Sequence, residues 1–70
     1  MQIFKLEGKA FIPLCDILKK VGLCQTGGHA KMVIADGLVK VDNEVELRKR
    51  CKIKDGQIIE FEGQRIKVEA

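Results

Sequence analysis

The stretch Thr26-Gly27-Gly28-His29-Ala30-Lys31 indicates where a helix begins and what that helix start could bind. Thr26 is a favourable N-cap, because its hydroxyl oxygen can accept a hydrogen bond from a backbone N–H of the first helical turn. Two glycines follow, although each costs about 1 kcal/mol relative to alanine inside a helix. A residue without a side chain lets a ligand approach the unpaired N–H groups of a helix start, which attract anions. The alternative is that the glycines only allow the helix start to pack closely on a sheet.

Apolar residues on both sides of this stretch predict two short helices. The first runs from about Pro13 to Val21 and ends before Gly22, with an apolar stripe at helical spacing formed by Leu14, Ile17, Leu18 and Val21. The second runs from Gly27 to Asp36 and turns Ala30, Val33 and Ile34 inward. Two helices of two or three turns cannot form a core alone, so the rest of the chain has to supply a sheet.

Short alternating segments predict that sheet. They lie at Gln2–Glu7, Val39–Val41, Val45–Leu47, Gln57–Glu62 and Arg65–Glu69, with tight turns at Asp42-Asn43, Asp55-Gly56 and Glu62-Gly63-Gln64. The order of elements predicts an α+β fold, in which two short packed helices cover one face of a small, strongly curved antiparallel sheet. We expect residues 1–70 to form a single domain.

The charge of the chain is concentrated in one segment. Between Asp36 and Leu47 there are four acids and one base, whereas Arg48 to Lys54 contains five bases and no acid. Within it, Arg48-Lys49-Arg50-Cys51-Lys52 forms what we call the basic strip. If the strip is extended, Arg48, Arg50 and Lys52 lie on one side and Lys49 on the other. A row of arginines suits a nucleic-acid backbone, because the guanidinium group binds phosphate through a planar fork. The alternative is a solvated surface that only keeps the protein soluble.

The succession of landmarks from about Ile12 to Phe61 resembles a known family, the RNA-binding domain first described in ribosomal protein S-four, also called the αL motif. The landmarks are Leu14 and Leu18 in the first helix, Gly22 after it, the cap Thr26, Ala30 and Ile34 in the second helix, Gly37, Val39-Lys40-Val41, Asp42-Asn43, and Asp55-Gly56 before the strand Gln57–Phe61. The chain is most similar to the small stand-alone bacterial members, which carry Ser/Thr-Gly-Gly-x-Ala-Lys at the second helix. The common form of the family has an arginine where this chain has Gly27, so Lys31 and the basic strip would have to compensate.

The resemblance implies a non-enzymatic protein that contacts the phosphate backbone of structured RNA, with ribosomal RNA as one candidate. The candidate RNA-binding residues are Thr26, Gly27, Gly28, His29, Lys31, Arg48, Lys49, Arg50 and Lys52. Stacking of single-stranded bases needs exposed aromatic side chains. The three phenylalanines all lie in apolar-patterned segments, and the chain has no tyrosine or tryptophan. We therefore expect RNA to be read by its shape.

Other classes of function receive less support from the sequence. A protein-interaction module with the same fold is the main alternative, because the acidic segment beside the basic strip suits charge-matched docking. Catalysis is not expected, since there is no carboxylate pair, nucleophile–base motif or phosphate loop. We expect no cofactor and a monomer. No apolar run approaches the roughly 18 residues of a membrane span, and the alternating N-terminal segment does not look like a signal peptide, so we expect a cytoplasmic protein without a membrane partner.

The three cysteines predict reduced thiols. Cys15, Cys24 and Cys51 are odd in number and widely spaced, which does not suit a disulfide framework. A zinc site would need these cysteines and His29 to converge without a Cys-x-x-Cys pair, so we expect no metal. His29 is instead expected to be a polar surface residue that touches RNA. We expect Cys24 to be the most exposed thiol.

Overall fold

Two helices and seven strands make up the computed structural model, which describes residues 1–70. The helices are α1 (Leu14–Lys20) and α2 (Gly27–Ala35). The strands are β1 (Gln2–Lys5), β2 (Ile12–Pro13), β3 (Val39–Val41), β4 (Glu44–Val45), β5 (Lys52–Ile53), β6 (Ile58–Phe61) and β7 (Gln64–Glu69). The predicted α+β class and the pair of packed helices are confirmed. Neither helix has the length and apolar character needed to cross a bilayer.

The main sheet is mixed rather than antiparallel as predicted. Its strand order is β1-β7-β6-β3-β4, and β2 and β5 form a separate antiparallel pair. All neighbours in the main sheet are antiparallel except β1 and β7, which run parallel with Gln2 opposite Ile66 and Lys5 opposite Glu69. Parallel neighbours need a long crossover between them, and here the whole intervening chain provides it.

The helix α1 begins one residue later than predicted. Pro13 has an extended backbone with ψ of 141° and pairs with Lys52, so it is the N-cap rather than the first helical residue. It offers no side-chain cap. Two backbone carbonyls of the basic strip serve instead: Leu14 N–H donates to the carbonyl of Cys51 at 2.9 Å, and Cys15 N–H donates to that of Lys49 at 3.2 Å. The strip is thereby attached to the start of α1.

Positive backbone φ angles confirm two of the predicted tight turns. Asp42 and Asn43 have φ of 51° and 70°, and Glu62 and Gly63 have φ of 52° and 75°. Two successive residues with positive φ match the twist of the hairpin strands that they connect. The Asp42 carboxylate also accepts a hydrogen bond from the Ile58 N–H at 3.0 Å, which ties the first hairpin to β6.

One apolar cluster of 18 buried residues fills the space between the helices and the sheet, and it contains no charged or polar side chain. All three cysteines belong to it and are unpaired. The prediction that Cys24 is an exposed thiol is wrong: its side chain is 1% exposed. The reason is that Cys24 N–H donates to the Leu18 carbonyl at 3.1 Å, which holds the link between the helices against the end of α1. Burial, with a smaller effect of Glu62, raises the pKa of this thiol.

Candidate nucleic-acid interface

The start of α2 is capped as the sequence predicts. Thr26 has an extended backbone, and its hydroxyl oxygen accepts a hydrogen bond from the backbone N–H of His29 at 3.0 Å. This bond satisfies one of the N–H groups that a helix start leaves unpaired. Ala30 faces the core, so Lys31 projects into solvent and His29 is half-buried beside the cap.

The two glycines after the cap face open space. A Cβ atom at Gly27 would meet nothing within 4 Å, and one at Gly28 would meet only the Thr26 hydroxyl oxygen, at 3.9 Å. Neither glycine has a positive φ. The interpretation that they allow close packing of the helix on the sheet is therefore wrong. The fold itself places no requirement for glycine here, which leaves the surface open to the approach of another molecule.

The basic strip is not the extended segment that the alternation argument assumed. Lys49 and Arg50 form a turn, in which Cys51 N–H donates to the Arg48 carbonyl at 3.2 Å, and β5 begins only at Lys52. The extended geometry is therefore wrong. Arg48, Arg50 and Lys52 nevertheless line one surface depression, as predicted, and Lys49 is not part of its lining. The turn forms because the first N–H groups of α1 donate hydrogen bonds to carbonyls of the strip. These bonds join distant parts of the chain, so the local alternation of residues does not predict them.

Arg48 differs from the other bases of the strip because it is already paired. The carboxylate of Glu46 accepts hydrogen bonds from its backbone N–H at 3.0 Å, from Nε at 3.0 Å and from Nη2 at 3.1 Å. The thiol of Cys51 donates to the same carboxylate at 3.5 Å. These bonds lower the pKa of Glu46 from its usual 4.5 to about 2, and the bonds from Arg48 have the largest effect. Burial and the Glu46 carboxylate raise the pKa of the Cys51 thiol.

The remaining bases of this region have no ion-pair partner. Lys49, Arg50, Lys52 and Lys54 are exposed, and the four ion pairs of the protein involve none of them. The ammonium group of Lys52 lies 5.0 Å from the centre of the Phe11 ring, a cation–π distance. The turn thus presents several unneutralised charges to solvent.

The two halves of the predicted site lie at opposite ends of α1. The basic strip is bonded to its first residues, whereas α2 starts after the short link that follows its last turn. Seven residues of helix span about 10 Å, at a rise of about 1.5 Å per residue. Lys19 and Lys20 are exposed in the last turn of α1, at the end from which the link to α2 departs. The structure brings the strip residues together, but it bonds none of them to the start of α2.

Sequence reasoning missed three residues of this region. Phe11 lies in an apolar-patterned segment and was not expected to be exposed, but its side chain is 37% exposed, beside Lys52. Lys54 extends the unpaired bases beyond the strip, and the run of charge in the sequence was sufficient to include it. Glu46 belongs to the acidic segment of the sequence, yet it binds the first arginine of the strip. A Glu-x-Arg pair next to a basic run is the signal that could have found it.

The thiols and the single histidine do not form a metal centre in the structure. Cys15, Cys24 and Cys51 are each buried, and no three histidine, cysteine, aspartate or glutamate side chains are grouped as metal ligands would be.

Comparison with known proteins identifies the family. The S4 domain matches residues 4–69 of the chain. YbcJ of Escherichia coli (strain K12) is 47% identical over 70 residues, which cover the whole of both chains, and YbcJ of Shigella flexneri shows the same identity and coverage.

Solved structures agree with the family match. The solution structure of YbcJ from E. coli, described as revealing an αL motif involved in RNA-binding, has a TM-score of 0.77 and covers all of this chain and 89% of its own. The 30S ribosomal protein S4e from Thermoplasma acidophilum has a TM-score of 0.61 at 24% identity, over 81% of this chain and 30% of its own, and so shares the fold. The capped second helix and the positive-φ turn at Asp42-Asn43 are landmarks of the resemblance inferred from the sequence, and the chain belongs to the S4 domain family.

Proposed function

We propose that this protein is a non-enzymatic, monomeric RNA-binding protein that contacts the phosphate backbone of structured RNA, with ribosomal RNA as a candidate. The contacts are made by the start of α2, through Thr26, Gly27, Gly28, His29 and Lys31, and by the basic strip. Membership of the S4 domain family and the RNA-binding motif described for YbcJ support the general assignment. The kind of RNA and the residues that contact it are part of this proposal.

One observation carries the proposal: the bases around the Lys49-Arg50 turn are clustered and unneutralised, whereas three of the four bases on the main sheet are paired. Lys5, Arg65 and Lys67 each lie within 4.0 Å of a glutamate oxygen. Lys49, Arg50, Lys52 and Lys54 have no such partner. Unpaired bases release counterions when they bind phosphates, and this release supplies much of the affinity for nucleic acids.

Lys19 and Lys20 would join the two halves of the binding surface. They lie on the exposed side of α1, which separates the basic strip from the start of α2. A phosphate backbone that follows α1 would meet these two lysines in the last turn, whereas the exposed carboxylate of Asp16 in the first turn would have to stay unpaired or be avoided. The open space over Gly27 and Gly28 then allows a phosphate to approach the N–H groups of the α2 start.

The lack of several exposed aromatic side chains favours binding of folded RNA over single strands. Phe61 is buried and Phe4 half-buried, so Phe11 is the one exposed phenylalanine on which a base could stack. One face of its ring already lies against Lys52. Proteins that hold single strands use several stacking platforms. Fluorescence anisotropy with a labelled RNA hairpin, the same-length single strand and a DNA duplex, over a salt series, tests this preference: the hairpin is expected to bind most tightly and with the steepest salt dependence.

Removal of the two turn bases is expected to weaken hairpin binding and to flatten its salt dependence. For the double change Lys49→Ala, Arg50→Ala, the slope of log affinity against log salt should fall by about 0.7–0.9 for each phosphate that the variant no longer binds. The matched control is Lys40→Ala, Lys67→Ala, which removes the same charge from the main sheet. Equal reductions in affinity for the two double variants would show that only net charge matters, and that the basic strip is not the contact surface.

A protein-docking module remains the second candidate, and a separate feature favours it. Leu38, Val45 and Leu47 are each more than half exposed, and a Cβ atom at Gly37 would lie within 4 Å of Val45 and Leu47. These side chains form a small apolar group beside the β3–β4 hairpin. Capture of a protein partner that survives nuclease treatment and is abolished by Leu47→Ser would place this function first.

A further inference from the structure

We propose that Glu46 is a positioning residue for RNA binding: this acid holds the basic strip in its binding shape, so its removal weakens binding although it removes a negative charge. The inference rests on the proposed function and adds a specific role to it. Simple electrostatics predicts the opposite result, because the loss of an acid next to a phosphate-binding surface normally strengthens the attraction.

The contacts of Glu46 make it the centre of the strip's side-chain bonding. Its two carboxylate oxygens receive the backbone N–H, Nε and Nη2 of Arg48 at 3.0–3.1 Å. The Cys51 thiol, at the other end of the turn, donates to Oε1 at 3.5 Å, and Arg48 Nη2 lies 3.6 Å from that sulfur. One carboxylate therefore binds residues on both sides of Lys49 and Arg50.

Glu46 is itself held firmly enough to act as an anchor. Its backbone N–H donates to the Val39 carbonyl at 3.0 Å, which continues the β3–β4 pairing, and its side chain is only 17% exposed. The opposite side of the turn is bonded to α1 through the carbonyls of Lys49 and Cys51. The turn is thus fixed between the sheet on one side and the helix on the other, with the side chains of Lys49 and Arg50 exposed at its apex.

The carboxylate of Glu46 should repel an approaching phosphate only weakly. Arg48 neutralises it through two side-chain hydrogen bonds, the geometry in which arginine binds carboxylates most strongly. Its loss would leave Arg48, 77% exposed, without a fixed orientation and would release the turn. Ordering the turn again on RNA would then cost conformational entropy, which a pre-ordered strip has already lost on folding.

Glu44 provides a matched control two residues away. It carries the same charge, lies on the same hairpin, is exposed and has no hydrogen-bond or ion-pair partner through its side chain. The experiment compares Glu46→Gln with Glu44→Gln for hairpin binding at one salt concentration. We expect Glu44→Gln to bind as tightly as the unchanged protein or somewhat more tightly. We expect Glu46→Gln to bind roughly tenfold more weakly, the order of a charged hydrogen bond.

Two further measurements separate positioning from general destabilisation. In an Arg48→Ala background, Glu46→Gln should weaken binding less than it does in the unchanged protein, because the two Arg48 side-chain hydrogen bonds are already absent and only those from the backbone N–H and the Cys51 thiol remain. In NMR spectra without RNA, the Arg48 Nε–H signal should be protected from exchange in the unchanged protein and in Glu44→Gln, and this protection should disappear in Glu46→Gln. The backbone amide signals of α2 and β6 should keep their positions in all three proteins.

The outcomes distinguish the two proposals. Hairpin binding by Glu46→Gln that is as tight as binding by Glu44→Gln, in a protein with unchanged α2 and β6 amide signals, overturns the role of Glu46 and leaves the proposed function standing. An unchanged protein that binds hairpin, single strand and duplex equally weakly overturns both. A loss of affinity on Glu46→Gln that is as large in the Arg48→Ala background as in the unchanged protein would also contradict positioning through the Arg48 side chain.

Discussion

The glycines of this chain divide into those that the backbone requires and those that it does not. Gly22 ends α1 with φ of 85°, which residues with a Cβ rarely adopt, whereas Gly27 sits in the first turn of α2 without a positive φ. Both face open space, so only the backbone conformation distinguishes them. The sequence predicted both positions correctly, but it could not show whether Gly27 was covered by the sheet.

Replacement of each glycine by alanine should therefore change stability in opposite directions. Gly27→Ala is expected to raise the free energy of unfolding by up to about 1 kcal/mol, since alanine favours the helix and restricts the unfolded chain. Gly22→Ala is expected to lower it by about 1 kcal/mol, the cost of left-handed backbone in an L-residue. Urea denaturation measures both. A destabilised Gly27→Ala protein would mean that the start of α2 is more crowded than the structure shows.

Glu46 should also make stability depend on pH in the acid range. Its pKa is about 2 in the folded protein and near 4.5 in its usual state, so the folded form binds its proton less readily. The resulting stabilisation is fully present above about pH 4.5 and is lost as the pH falls towards 2. Thermal denaturation between pH 2 and 6 should show a shallower acid decline for Glu46→Gln than for Glu44→Gln. Part of the decline will remain, because Lys5 lowers the pKa of Glu69 as well.

At the scale of elements, local patterns predicted the helices and the turns. Hydrogen bonds between distant segments determined where α1 begins and how the basic strip is bent. The stripe from Leu14 to Leu18 and the cap Thr26 are local features, and the structure confirms them. The neighbours of Pro13 are compatible with an extended or a helical backbone, and its pairing with Lys52 decides between them. The basic strip has the same explanation: its alternation suited an extended segment, but the start of α1 bonded two of its carbonyls and bent it.

The packing of α1 should account for a large share of the stability. Leu18 is fully buried in the apolar cluster, and its carbonyl accepts the N–H groups of Leu23 and Cys24. Leu18→Ala is expected to cost about 2–5 kcal/mol, the range for a large buried aliphatic side chain. Met32→Ala, on the exposed side of α2, should change stability by no more than about 0.5 kcal/mol. Urea midpoints of the two variants that coincide would contradict this assignment of the core.

At the scale of the whole molecule, the pairing of charges matters more than their number. Of the four bases on the main sheet, Lys5, Arg65 and Lys67 each lie near a glutamate, as in the Lys5–Glu69 pair at 2.8 Å, and only Lys40 does not. Exposed pairs of this kind contribute little to stability. Because these pairs neutralise most bases of the main sheet, unpaired positive charge is concentrated around the basic strip, in a chain with a net charge of +3. The sequence showed the run of bases, but which other bases were neutralised depended on strands brought together from distant parts of the chain.

The parallel pairing of β1 with β7 also sets the order in which the protein can assemble. β1 precedes the other strands of the sheet in the sequence and its only neighbour there, β7, follows them all, with Lys5 bonded to a residue 64 positions later. Contacts between such distant positions slow folding, because the ends of a long loop have to meet before any bond rewards them. Until β7 has been synthesised, β1 therefore lacks its neighbour in the sheet, and the sheet can be completed only when β7 has left the ribosome.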